Sequence, residues 1–247
     1  MDRALANLSA MEYPGRVIII GGSPSGSRAA VVYAITGRSP SSQARRLERR
    51  EDGIWVRPTD EEVLKKGNPD LLIYPAILFA AAGVAVSNGR QTADVRSRLD
   101  GAAATGPVEV LAGSLSGWDF EPDAPIFTPR ISGCVLPGAK AALSLTKRGA
   151  GGEALRSYHE FPLEPGKGKL IATYDGVNRD PLRSFPGDPL DVALEAATAP
   201  GLAETVYEAL KPPEGGQDLR VAVACLMAGD VARSEFEVAI INRHERN

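Results

Sequence analysis

Histidine and cysteine are nearly absent: two of each, His159, His244, Cys134 and Cys225, occur in 247 residues. A structural zinc site takes about four clustered Cys or His ligands, so no metal is expected. No Gly-x-Ser-x-Gly elbow accompanies either histidine, which removes Ser/His/Asp catalysis on that pattern. The cysteines lie 91 positions apart in small apolar settings with no basic residue beside them, and read as packing residues. A basic excess is also missing. Lys and Arg number 28 against 31 Asp and Glu, a net charge of −3, which argues against a nucleic-acid polymer as partner. The longest apolar run, Ala76 to Val86, is eleven residues interrupted by Gly83, short of the roughly twenty that a membrane helix needs. The segment from Met1 to Gly15 has no apolar core of a secretory signal, so the expected compartment is cytoplasmic, with no membrane partner. Internal repeats and low-complexity tracts are lacking too. An enzyme of this composition works with Arg, Tyr, Asn and carboxylates.

What is present is ordinary soluble-protein material: 43% hydrophobic and 24% charged residues, enough for a sizeable core. Arg16 to Ile20 reads as a β-branched strand, Gly21 to Ser27 as a turn, and Arg28 to Thr36 as a second strand. Gly21 and Gly26 have the spacing of a phosphate-cradling loop. However, Ser27-Arg28 replaces the expected Lys and Ser/Thr, and a strand follows instead of a helix, so a hairpin is the better reading. Gln43 to Lys66 reads as a charged, solvated excursion around Trp55-Val56. Thr92 to Leu99 reads as a short helix N-capped by Thr92. Thr128 to Leu136 reads as a strand continued by Gly138 to Leu145, followed by a Gly/Arg loop at Lys147 to Arg156. Leu170 to Tyr174 is a further strand and Asp175 to Pro189 a loop. Asp191 to Ala199 and Leu202 to Lys211 show helical spacing broken by Pro200-Gly201, and strands at Leu219 to Ala228 and Glu235 to Ile241 close the chain. Strand–helix–strand alternation is absent, which favours an α+β fold of mainly antiparallel sheets over a doubly wound parallel one.

Four places carry candidate chemistry. Arg38-Ser39-Pro40-Ser41-Ser42-Gln43-Ala44-Arg45 puts two guanidiniums and three hydroxyls on one loop, the donors a phosphomonoester takes, or else a solvated loop with local ion pairs. Ser87-Asn88-Gly89 is either a turn or an amide placed to bond a carbonyl or ring nitrogen. Glu121 with Thr128-Pro129-Arg130 is a carboxylate–guanidinium pair across a pocket mouth or a surface salt bridge. Tyr74-Pro75 places a phenol at the head of the apolar run, where it can serve packing alone.

As an ordered set, Gly15-Arg16-Val17-Ile18, the Arg38–Arg45 loop, Val86-Ser87-Asn88-Gly89 and Thr128-Pro129-Arg130-Ile131 resemble the archaeal-type IMP cyclohydrolases over roughly the first 140 residues. The stretch with Pro162 to Gly168 and Ala172-Thr173-Tyr174-Asp175-Gly176 resembles the bacterial branch of that family. The chain departs from the compact archaeal pattern by extra length at 46–70 and 146–188. It is also too short for the bifunctional transformylase/cyclohydrolase. The resemblance implies one domain over residues 1–247. It implies a four-layer αββα sandwich similar to N-terminal-nucleophile hydrolases but without self-processing. The implied reaction closes the formamido-imidazole-carboxamide ribonucleotide to inosine monophosphate with loss of water, the last step of purine synthesis. No cofactor is implied, the partner is a small purine ribonucleotide, and a homo-oligomer is allowed. Ring closure needs a phosphate anchor, which Arg38, Ser39 and Arg45 suit. It needs donors for a carbonyl and oxyanion, which Asn88 and Arg130 suit, and proton handling by Tyr74 and Glu121, the latter with a raised pKa. Gly89 and Thr128 complete the implied substrate contacts. A purine-nucleotide binder without turnover and an amide-bond hydrolase on the same fold remain the alternatives.

Overall fold

Alternation of side chains along strands dictates the architecture. The computed structural model describes residues 5–60, 73–101, 106–232 and 235–246. After a one-turn helix α1 (Ala6–Ser9), strands β1 (Arg16–Gly22) and β2 (Ala29–Thr36) form the expected hairpin across the glycine turn. A second one-turn helix, α2 (Pro40–Gln43), leads into β3 (Arg45–Arg50), β4 (Gly53–Pro58), β5 (Tyr74–Ala80) and β6 (Gly83–Ser87). Helices α3 (Thr92–Asp100) and α4 (Pro107–Leu115) precede β7 (Arg130–Leu136), β8 (Lys140–Arg148), β9 (Ala154–Pro162) and β10 (Lys167–Ala172). The short β11 (Leu190–Ala193), helix α5 (Ala199–Ala209), β12 (Arg220–Ala228) and β13 (Glu237–Asn242) follow.

The strands form two antiparallel sheets, six-stranded in the order β11-β10-β1-β2-β12-β13 and seven-stranded in the order β3 through β9. Ile18, Ile20, Val31 and Tyr33 from the first sheet face Val86, Ile131, Val135 and Leu143 from the second, all essentially without solvent exposure. Each such aliphatic burial contributes about 1.5–3 kcal/mol. The sheets approach closely at Gly133, where an added Cβ would come within 2.7 Å of Ile20 Cδ1. On the outer face of the seven-stranded sheet, the small residues Ala85, Cys134 and Ala142 let Val95, Leu99, Val110, Leu111 and Leu115 of α3 and α4 pack down. Helix α5 packs on β2, β12 and β13 of the other sheet. The result is an α+β two-sheet sandwich with helices outside. No helix among the described residues is long and apolar enough to cross a membrane.

Several local expectations are corrected. Residues 45–58 of the charged excursion form the β3–β4 hairpin: Leu47, Ile54 and Val56 point inward while Arg46, Arg50 and Arg57 take the opposite face, so the charges masked a period of two. Residues 61–66 of that segment lie outside the described residues. Gly138 to Leu145 is no continuation, because Pro137-Gly138-Ala139 reverses the chain and β8 runs back along β7. The Gly/Arg loop is only a tight turn, since β9 already begins at Ala154. Of Asp191 to Ala199 only the last residue is helical: the first residues pair with β10 as an edge strand. Pro200-Gly201 sits inside the first turn of α5, where proline's missing N–H costs nothing and Thr198 caps the helix by accepting from Gly201 N–H. Thr92 is the first residue of α3 instead of its cap, its hydroxyl donating to the Gly89 carbonyl.

Candidate functional site

Two arginines begin strands in different sheets and converge on one carboxyl. Arg16, at the head of β1, donates from Nη2 to Glu121 Oε1 at 3.3 Å, and Arg130, at the head of β7, brings Nη1 to 3.8 Å from the same oxygen. The Glu121 side chain is only 5% exposed. It is carried on a proline-broken loop that closes on itself: Glu121 N–H donates to the Thr128 carbonyl, and Asp123 accepts from both the backbone and the hydroxyl of Thr128. Thr128 Oγ1 also meets Tyr174 OH at 3.0 Å.

Each arginine is held by its own scaffold. Arg130 donates from Nε to the Asp119 carbonyl (2.7 Å) and from Nη1 to Gln91 Oε1 (3.0 Å), and lies over the Trp118 ring. Asn88, fully buried, donates to the Pro129 carbonyl and accepts from Ile131 N–H and Gln91 Nε2, so its amide clamps the segment that bears Arg130. Gly89 lies beneath this guanidinium, where a Cβ would stand 2.9 Å from Arg130 Nη1 and 2.6 Å from Gln91 Oε1. Gly15, with φ of +75°, has a comparable reason: a Cβ would collide with Thr173 Oγ1 and the Tyr174 ring that flank Arg16.

Tyr74 on β5 reaches across the sandwich to Tyr33 on β2, their hydroxyls 2.9 Å apart and both rings buried. Burial, reinforced by the neighbouring Tyr74, pushes the Tyr33 phenol well up, so it stays a neutral hydrogen-bonding group. The charge of Arg16 acts on Glu121, Tyr74, Tyr174 and Tyr33 together, and that of Arg45 on Glu121 and Tyr33. Burial raises the Glu121 carboxyl above its ordinary range, although Arg16 and Arg130 pull the other way. Burial lowers Arg130, with Glu121 opposing. The Nε atoms of Arg16 and Arg45 are buried without a hydrogen-bond partner. Three guanidiniums against Glu121, with Asp123 nearby, leave buried donors directed at no protein acceptor. That arrangement favours an anion or a developing oxyanion.

Of the residues singled out from sequence, Glu121, Arg130 and Thr128 are thus brought together directly, and Tyr74 and Arg45 join them through Tyr33 and the shared field. Arg38 stands toward the rim, donating to Asn178 Oδ1 and the Arg179 carbonyl and stacking over Tyr13. Ser39 caps α2 through a reciprocal pair with Ser42 and is exposed. Arg16, Tyr33, Gln91 and Tyr174 were missed as site residues. A charge heading an all-apolar strand was the signal for Arg16, and a phenol in the middle of one was the signal for Tyr33.

No curated protein matches the chain in sequence. The model of the family described as IMP cyclohydrolase-like protein matches residues 13–224, a span that holds every residue of the cluster just described, and the chain belongs to that family.

Proposed function

We propose that this protein closes the formamido-imidazole-carboxamide ribonucleotide to inosine monophosphate and water. The observation that carries the reading is a single buried carboxyl held between arginines from both sheets, beside a buried tyrosine pair. In the reaction the carboxamide nitrogen attacks the formyl carbon, forming the ring C–N bond. The attacking nitrogen loses a proton and the formyl oxygen gains one. The resulting hydroxyl then leaves as water while the former formamide nitrogen gives up its proton, creating the ring C=N bond. Nothing covalent is required of the protein. Folding the formamide toward the amide makes the step intramolecular, which by itself supplies a large part of the acceleration.

In this reading Arg16 and Arg130 face the oxygen that gains negative charge during attack, and Glu121 returns a proton to it as water departs. Asn88 and Gly89 hold Arg130 in place. Tyr74, fixed by Tyr33, handles the amide proton. Arg45, with Arg38 and Ser39 at the rim, takes the phosphate, and Thr128 contributes to the substrate wall. The raised carboxyl of Glu121 suits the proton-donor role.

The test is to mix purified protein with the formamido nucleotide and follow growth of the purine absorbance. Growth proportional to protein is the expected result. Inosine monophosphate binding without growth would leave a nucleotide binder, and cleavage of the chain before an internal Ser, Thr or Cys, seen by intact mass, would favour an amide-bond hydrolase.

A further inference from the structure

The seven-stranded sheet ends in β9, which pairs with β8 and, among the described residues, with no other strand. It is nine residues long and free of bulges. The remaining edges are short or engaged: β11 has four residues, and β3 and β13 are tied together through Asn242, which accepts from Leu47 N–H and donates back to the Leu47 carbonyl. A long open edge is a template for another strand.

The hydrogen-bond phase shows which groups are open. Gly149 N–H donates to the Glu153 carbonyl and Leu163 N–H to the Ala139 carbonyl, both within the β8–β9 register. Odd-numbered residues of β9 therefore bond β8, and Arg156, Tyr158 and Glu160 turn their backbone N–H and C=O outward. The order of residues around them is self-complementary. An antiparallel pairing of two β9 strands centred on Tyr158 sets Arg156 opposite Glu160 and, on the other face, Leu155 opposite Phe161. Shifting the centre to 157 or 159 loses both matches. Leu155 is 46% exposed, one of only two large hydrophobics so exposed among the described residues.

We infer that the free edge of β9 pairs with β9 of a second copy of this chain, antiparallel about Tyr158, joining two seven-stranded sheets into one. The pairing completes both outward bonds of Tyr158 and of each Arg156–Glu160 couple, and covers Leu155. It also braces the site loop, because Arg156 donates to the Trp118 carbonyl and to Asp119, which in turn hold Arg130.

Sedimentation of the full chain tests this. Wild type should run at twice the 26.0 kDa chain mass. Glu160→Pro removes an outward N–H without touching the β8 ladder, and should weaken dimerisation at least ~10-fold while leaving the circular dichroism spectrum unchanged. Tyr158→Cys should be joined to its copy by a short thiol crosslinker, the native cysteines being buried. A monomeric wild type, a dimer indifferent to Glu160→Pro, or no crosslink through position 158 would each overturn the inference. If Glu160→Pro fails to fold, the crosslink decides alone.

Discussion

At the residue scale the proposed mechanism turns on Glu121, where three influences act at once. Burial favours its neutral form, Arg16 and Arg130 favour its charged form, and burial prevails. In the proposed mechanism the neutral, proton-donating form of Glu121 therefore persists to higher pH than an exposed glutamate allows. Turnover should accordingly fall as pH rises through this raised pKa. Glu121→Gln should remove that limb from the pH–rate profile, since an amide does not titrate. Gly89 makes a second residue-scale case. Gly89→Ala presses a methyl against Arg130 Nη1, and displacing a catalytic group by about 1 Å can cost on the order of 100-fold in rate. The expected outcome is a kcat loss of about 10–100-fold with the melting temperature within a few degrees of wild type. An unchanged kcat would mean that Arg130 is not held where the reaction needs it.

Elements were legible from sequence wherever one signal dominated. The β1–β2 hairpin, β12 and the bulk of α5 followed from apolar runs bounded by glycine and proline, and the glycines at 21–26 lie at the end of β1 and in the turn of that hairpin. The β3–β4 hairpin was hidden because its outward positions are crowded with arginine, so composition drowned the alternation of Leu47, Ile54 and Val56. Helix α4 went unread, and β11 was read as helix because four residues are too few to display a period. The site divided likewise. Glu121, Arg130 and Asn88 stood out as local strings. Arg16 and Tyr33 meet their partners across 105 and 41 positions of sequence respectively, a proximity that only the stacking of two sheets creates. Asn242 is an element-scale device of the same kind, its amide standing in for a peptide group between β3 and β13. Asn242→Ala leaves the buried Leu47 N–H and C=O unpaired and should cost about 2–3 kcal/mol in chemical denaturation. A loss under about 0.5 kcal/mol would show that water replaces the amide fully.

For the whole molecule, the sandwich works as a clamp. One sheet supplies Arg16 and Tyr33, the other Arg45, Tyr74 and Arg130, and the 121–128 loop lowers Glu121 between them. The interior that stabilises the fold is therefore the same contact that assembles the proposed site. The scarcity of histidine and cysteine fits the proposed reaction, since an intramolecular dehydration asks for orientation, anchoring and a proton carrier. The most direct test of the account is the single-turnover rate of ring closure, with protein in excess over the formamido nucleotide, in wild type and Glu121→Gln. The account predicts a fall of ~10²–10⁴-fold in that rate with inosine monophosphate affinity kept within about threefold. Equal single-turnover rates in the two proteins would contradict it.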